Sequence, residues 1–380
     1  MFRPKEKQIL DTPYEPLNID NDRRFANAIG ARVFSSAKLG KEIHDDLDTN
    51  TFGISWWSHL NQQERILASD YLYQCVSGIE ANLIEARLHY YMWQHVRDLQ
   101  DEKIKDAVQL DQNGTPQTKL PPSTTPYDDL PNKLEGMHIT GFFRAIGSSL
   151  DCLGAVIIGV LGLKKELRIC YFKTAQGALS NLENAQPPAN PIHFAFRDTY
   201  NKAVSNCGPK GWINWATLYR NSLVHRGRPV WTHQLHPRPI INMPGATRFQ
   251  TSQETHLEKY PDWSDVESWI KTDHPVLAEE ANRTLSGIYV SSMKFSEAIC
   301  CELLSIWQTR RMEPNLVKQP KNQWALSGKR CGFDGYSSRQ DLEFDSVTTS
   351  PILLKRMRAA SVHPKHARNL WQDSLWLMDE

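Results

Sequence analysis

YLYQCVSGIEANLIEARLHYYMW, residues 71–93, decides the fold class. Tyr71, Cys75, Ile79, Leu83, Ala86, Tyr90 and Trp93 recur at steps of four and three, which is one apolar stripe along a helix. Asn61, with Glu64 three residues later, forms a capping box ahead of the stripe. The helix is therefore expected to start there and to run to about Leu99, with Leu110 as its outer limit.

Outward from this helix the periodicity stays helical. Residues 111–134 are rich in Pro, Thr, Asp and Asn and read as a long mobile loop within the fold. A second helix is expected over about 138–164, where glycines at 141, 147, 154, 159 and 162 allow another helix to approach closely. Residues 166–185 and 192–206 also read as helical, separated by Gln186-Pro187-Pro188-Ala189-Asn190-Pro191. A last long helix starts near Asp273-His274-Pro275 and ends before Pro314, with Ala281, Leu285, Ile288, Phe295, Ile299, Leu303 and Ile306 as its stripe. Strand signals are few and short. The expected fold class is all-α: a four-to-six-helix bundle spanning residues 61–312, flanked by an irregular N-terminal arm (1–60) and a C-terminal extension (313–380).

Composition removes several function classes. The seven cysteines never fall in a Cys-x-x-Cys pair, which points to reduced intracellular thiols and against a zinc site or a disulfide framework. The first residues carry no apolar leader core. The longest apolar run, Cys152 to Leu163, is short for a bilayer span and reads as a buried helix. A soluble cytoplasmic protein with no membrane contact and no cofactor is expected. His-Glu-x-x-His is absent, and the Gly154–Gly159 spacing lacks the lysine of a phosphate loop.

The net charge is +1, yet Thr199 to Gln253 contains no Asp or Glu at all. Lys202, Lys210, Arg220, Arg226, Arg228, Arg238 and Arg248 lie in that stretch, with His225, His233 and His236. Such a local field suits a phosphate-bearing partner. Within it a helix is expected over about 210–226: Pro209 suits its first turn, Gly227 its left-handed end, and Pro229 forbids continuation.

Arg220-Asn221-Ser222-Leu223-Val224-His225 falls inside that helix. Arg-x4-His alone discriminates nothing, since Arg228–His233 and Arg358–His363 match as well. Only the first lies in a capped helix interior, and only Arg220 has an amide neighbour. Taking Arg220 as the origin, Val224 falls near about 40°, Asn221 near about 100° and His225 near about 140° around the axis. Trp212, Ala216, Tyr219 and Leu223 cover another arc and suit the core.

An all-α domain with Arg-Asn-x3-His on a late helix resembles the HEPN superfamily, whose pattern is Arg, four to six residues, then His, with a polar residue after the Arg. The resemblance implies a metal-independent endoribonuclease, commonly a homodimer in which both chains' Arg and His meet in one cleft. It also implies a toxin–antitoxin, abortive-infection or other antiviral defence setting, with a cognate antitoxin or defence-system partner. Other members have lost catalysis and bind nucleotides or a partner protein, and that is the alternative here. Carried over by position, Arg220 neutralises the scissile phosphate, Asn221 orients it and His225 moves protons. Lys210, Arg226 and Arg228 are the expected RNA-binding cations. RNA supplies its own nucleophile, so a base, an acid and positive charge on the phosphorane suffice, and no metal is expected.

Two further features read less sharply. Lys355, Arg356, Arg358, Lys365, His366 and Arg368, followed by Trp371 and Trp376, suit either nucleic acid or a C-terminal segment docked by its tryptophans. Asp151 could partner an arginine of the site but reads as an ordinary polar-face residue.

Overall fold

The computed structural model describes residues 33–46, 62–110, 116–118, 130–185, 188–225, 232–234, 246–249 and 279–317. Seven α-helices occupy most of them: α1 (Phe34–Asp45), α2 (Gln62–Ala107), α3 (Leu130–Leu161), α4 (Phe172–Ser180), α5 (Pro191–Cys207), α6 (Trp212–His225) and α7 (Ala281–Met312). The described part is thus helical, as the periodicity predicts. Val108–Leu110 pairs antiparallel with Pro116–Thr118, and Ala246–Phe249 pairs with Thr232–Gln234 and Glu279–Glu280.

Helices α2 and α3 form the central antiparallel pair. Their partners run in opposite order: Leu72 against Gly159, Ile79 against Ser149, His89 against His138, and Trp93 against Glu135. The stripe residues Ile79, Leu83, Ala86 and Trp93 are buried there. Helix α3 is apolar around most of its circumference, as a helix surrounded by others must be. Lys133–Leu161 is long and apolar enough to cross a bilayer by length and composition, but 72% of its most apolar window is buried inside the protein. It also starts earlier than its period indicates, so Leu130 to Met137, read as loop and approach, are already helical. Most of the remaining 111–129 segment lies outside the described residues.

The end of α3 is fixed by three independent devices. Gly162 takes φ 61°, and the N–H groups of Gly162 and Leu163 return to the carbonyls of Gly159 and Ile158 in a Schellman closure. The fully buried Arg310 of α7 donates to the Val160 carbonyl. His193 Nε2 donates to the Leu161 carbonyl at 2.7 Å. His193 is held in that tautomer because its Nδ1 accepts from the Asn190 N–H, the two residues forming the capping box of α5.

Helix α1 corrects the expectation of an irregular arm over its own length. Leu39 and Ile43 are fully buried, each contributing about 1.5–3 kcal/mol of burial. Polar contacts tie α1 along α7: Ser35 donates to Glu297, Trp307 Nε1 donates to Asp46 at 2.7 Å, and Arg311 pairs with Glu42 and Asp46. Residues 1–32 and 318–380, with the second basic patch, lie outside the described residues.

Candidate functional site

The motif helix is α6. Pro209 does not enter its first turn as expected. Pro209 and Gly211, the latter at φ 84°, form the turn ahead of it, and the Pro209 carbonyl accepts from the Trp212 N–H. The predicted core face is buried, with Trp212, Ala216, Tyr219 and Leu223 between 2% and 8% exposed. Trp215 stacks on Tyr219 at 4.9 Å, and both meet Phe143 of α3 edge-on, at 5.8 and 4.7 Å. These aromatic contacts lock α6 against α3.

One turn beyond Phe143, on the same face of α3, is Gly147. A Cβ there would lie 2.9 Å from Arg220 Nε and 3.2 Å from both Cδ and Cγ. The middle of the arginine side chain, not its flexible tip, therefore crosses the helix at the glycine. The next residue on that face is Asp151, whose Oδ2 stands 3.5 Å from Arg220 Nη2. Arg220 Nη1 donates to Asn221 Oδ1 at 3.1 Å. The guanidinium is held between an amide and a carboxylate with its Nε buried, while the side chain as a whole stays 28% exposed.

Asp151 has a second commitment. Its Oδ1 accepts from the Phe172 N–H at 2.9 Å, at the first turn of α4. Gly154, three residues on, lets that turn come close, since a Cβ there would lie 2.8 Å from the Phe172 Cα. Gly147, Asp151 and Gly154 thus form one stripe that seats Arg220 at one end and α4 at the other. Burial raises the Asp151 pKa, opposed by the Phe172 N–H and by Arg220.

Arg220 and Asn221 are therefore brought together, but Asn221 is turned toward Arg220 itself. His225 is the last residue of α6; its side chain lies outside the described residues, as do Arg226 and Arg228. Lys210 is exposed in the turn ahead of α6, ten residues from Arg220 and at the opposite end of the helix, so it does not join the guanidinium. Asp151, read from sequence as an ordinary polar-face residue, belongs to the site. The spacing Gly147-x3-Asp151-x2-Gly154 puts the three on one helical face but does not say that Arg220 meets it. Comparison with protein-family models, curated proteins and solved structures gives no match.

Proposed function

We propose that the protein is a metal-independent endoribonuclease of HEPN type, a helical bundle acting as a homodimer in a defence or toxin–antitoxin setting. The observation that carries this reading is the seating of Arg220: a partly exposed side chain laid over Gly147, its guanidinium oriented by Asn221, five residues before His225. A charge fixed before the substrate arrives stabilises a developing phosphorane without reorganisation cost.

In the reaction the RNA 2′-hydroxyl attacks the adjacent phosphorus. A base takes the hydroxyl proton, the P–O5′ bond breaks, and an acid returns a proton to the leaving 5′-oxygen. The products are a 2′,3′-cyclic phosphate and a 5′-hydroxyl end. His225 from each of two chains divides the base and acid roles, and Arg220 neutralises the phosphoryl oxygens. Asp151 is the resting partner that the phosphate displaces.

A second reading follows from the same carboxylate. Asp151 already occupies one edge of Arg220, which suits a catalytically silent module that binds a nucleotide or a partner protein. Incubating the purified protein with single-stranded RNA in excess EDTA separates the two. The nuclease reading requires cleavage with cyclic-phosphate ends under those conditions. Cleavage only on adding Mg²⁺, or none by any preparation that represses growth, rejects it.

A further inference from the structure

A groove of about 920 Å³ lies beyond the C-terminal end of α3, between that end, α4 and the start of α5. Its size falls in the range of small-molecule sites. Lys164 and Lys165 enter it from the turn after α3, and Lys173 from the first turn of α4. All three are exposed and none makes an ion pair among the described residues. No Asp or Glu is among the described residues that line the groove. The carboxylates nearest in sequence are engaged elsewhere: Glu166 with Arg168 at 2.9 Å and Glu183 with Arg197 at 2.5 Å.

The floor opposes an anion less than a bare helix end would. The α3 C-terminus would ordinarily turn the negative end of its dipole and bare carbonyls toward this space. Here Arg310 takes the Val160 carbonyl and His193, a lining residue, takes that of Leu161. Gly162, Gly177 and Ala178 leave room in the groove, and its described lining holds no Phe, Tyr or Trp for a base to stack on; the His193 ring is buried with both nitrogens engaged. Asn184 and Asn315 also line the groove, and their side-chain amides make no hydrogen bond among the described residues.

We propose that this groove binds a compact oligophosphate, two or more adjacent phosphates held by Lys164, Lys165 and Lys173 with amide donors from Asn184 and Asn315. Three unneutralised ammonium groups around one concavity match clustered negative charge, and the absence of a stacking surface places recognition on the phosphates. Arg220 and its partners Gly147, Asp151 and Asn221 do not line the groove, although Lys173 follows Phe172, whose N–H binds Asp151. Asp151 and Leu161 are ten residues apart on α3, about 15 Å along the axis. The inference therefore stands whether or not the protein cleaves RNA.

Calorimetric titration of the full chain with pyrophosphate and with ATP, at low ionic strength, tests it. Wild type is expected to bind both, and K164A/K165A/K173A to bind at least about tenfold more weakly with an unchanged circular-dichroism melt. R220A is expected to bind as wild type does. Absence of binding at millimolar ligand, equal affinity in the triple variant, or loss of binding in R220A each overturns the proposal. So does single-stranded RNA that binds through the three lysines while pyrophosphate does not.

Discussion

Arg220 occupies the space that a side chain on Gly147 would fill, with its Nε 2.9 Å from the position of a Cβ there. The closest atoms lie in the middle of the arginine chain, so it cannot yield by moving its tip. The guanidinium position and the glycine are thus one structural unit, completed by Asp151 a turn further on.

G147A is therefore expected to expel Arg220 from its seat while leaving α3 helical, since Ala is the better helix former. The overpacking is expected to cost about 1–2 kcal/mol. RNA cleavage is expected to fall about 10-fold or more. Thermal melts beside cleavage rates check this; a variant with undiminished cleavage shows that the seat does not matter.

D151N and D151A separate the two commitments of the carboxylate. Asn keeps an oxygen for the Phe172 N–H but removes the charge facing Arg220. It is expected to leave stability within about 0.5 kcal/mol and to tighten RNA binding several-fold. Ala also releases the first turn of α4, at about 1 kcal/mol, the usual cost of a lost cap. Equal melting of the two variants contradicts the role of Oδ1.

Much of this geometry is readable in the chain. The α6 core face follows from period 3.6, because Trp212, Ala216, Tyr219 and Leu223 are all apolar and fall on one arc. The stripes of α2 and α7 are legible for the same reason. Asp151 is not, because periodicity places a residue on a face but does not say which helix that face meets. The acid-free stretch around Arg220 has the same limit: its field is offset by a carboxylate from a distant part of the chain. Helix α1 escapes because only Leu39 and Ile43 form its fully buried apolar contact, too few for a period, and much of its attachment is polar.

Arg310 is expected to matter for stability alone. It is fully buried and donates to the Val160 carbonyl at the end of α3. R310M is expected to lose about 3 kcal/mol, since a buried carbonyl then loses its donor and the methionine fills the space incompletely. Denaturant unfolding measures this, and a loss below about 1 kcal/mol contradicts the capping role.

His89 and His138 predict an acid transition. Their Nδ1 atoms lie 3.1 Å apart between α2 and α3, with Glu85 and Arg144 beside His89. Burial lowers both pKa values, that of His138 to about 4. Because the folded value lies below the unfolded one, the stabilisation is complete above about pH 6.5 and is lost as pH falls toward 4. The loss is expected to be on the order of 2 kcal/mol. H138N is expected to flatten the dependence of melting temperature on pH between 7 and 4.5; an unchanged slope assigns that dependence to other groups.

Single-turnover cleavage of single-stranded RNA in EDTA by wild type, R220A and H225A addresses the central claim most directly. Wild type is expected to cut and to leave 2′,3′-cyclic phosphate ends. Each variant is expected to be slower by about 10²–10⁴-fold while melting as wild type does. Cleavage that survives both substitutions would contradict the assignment of Arg220 and His225 as the reacting pair.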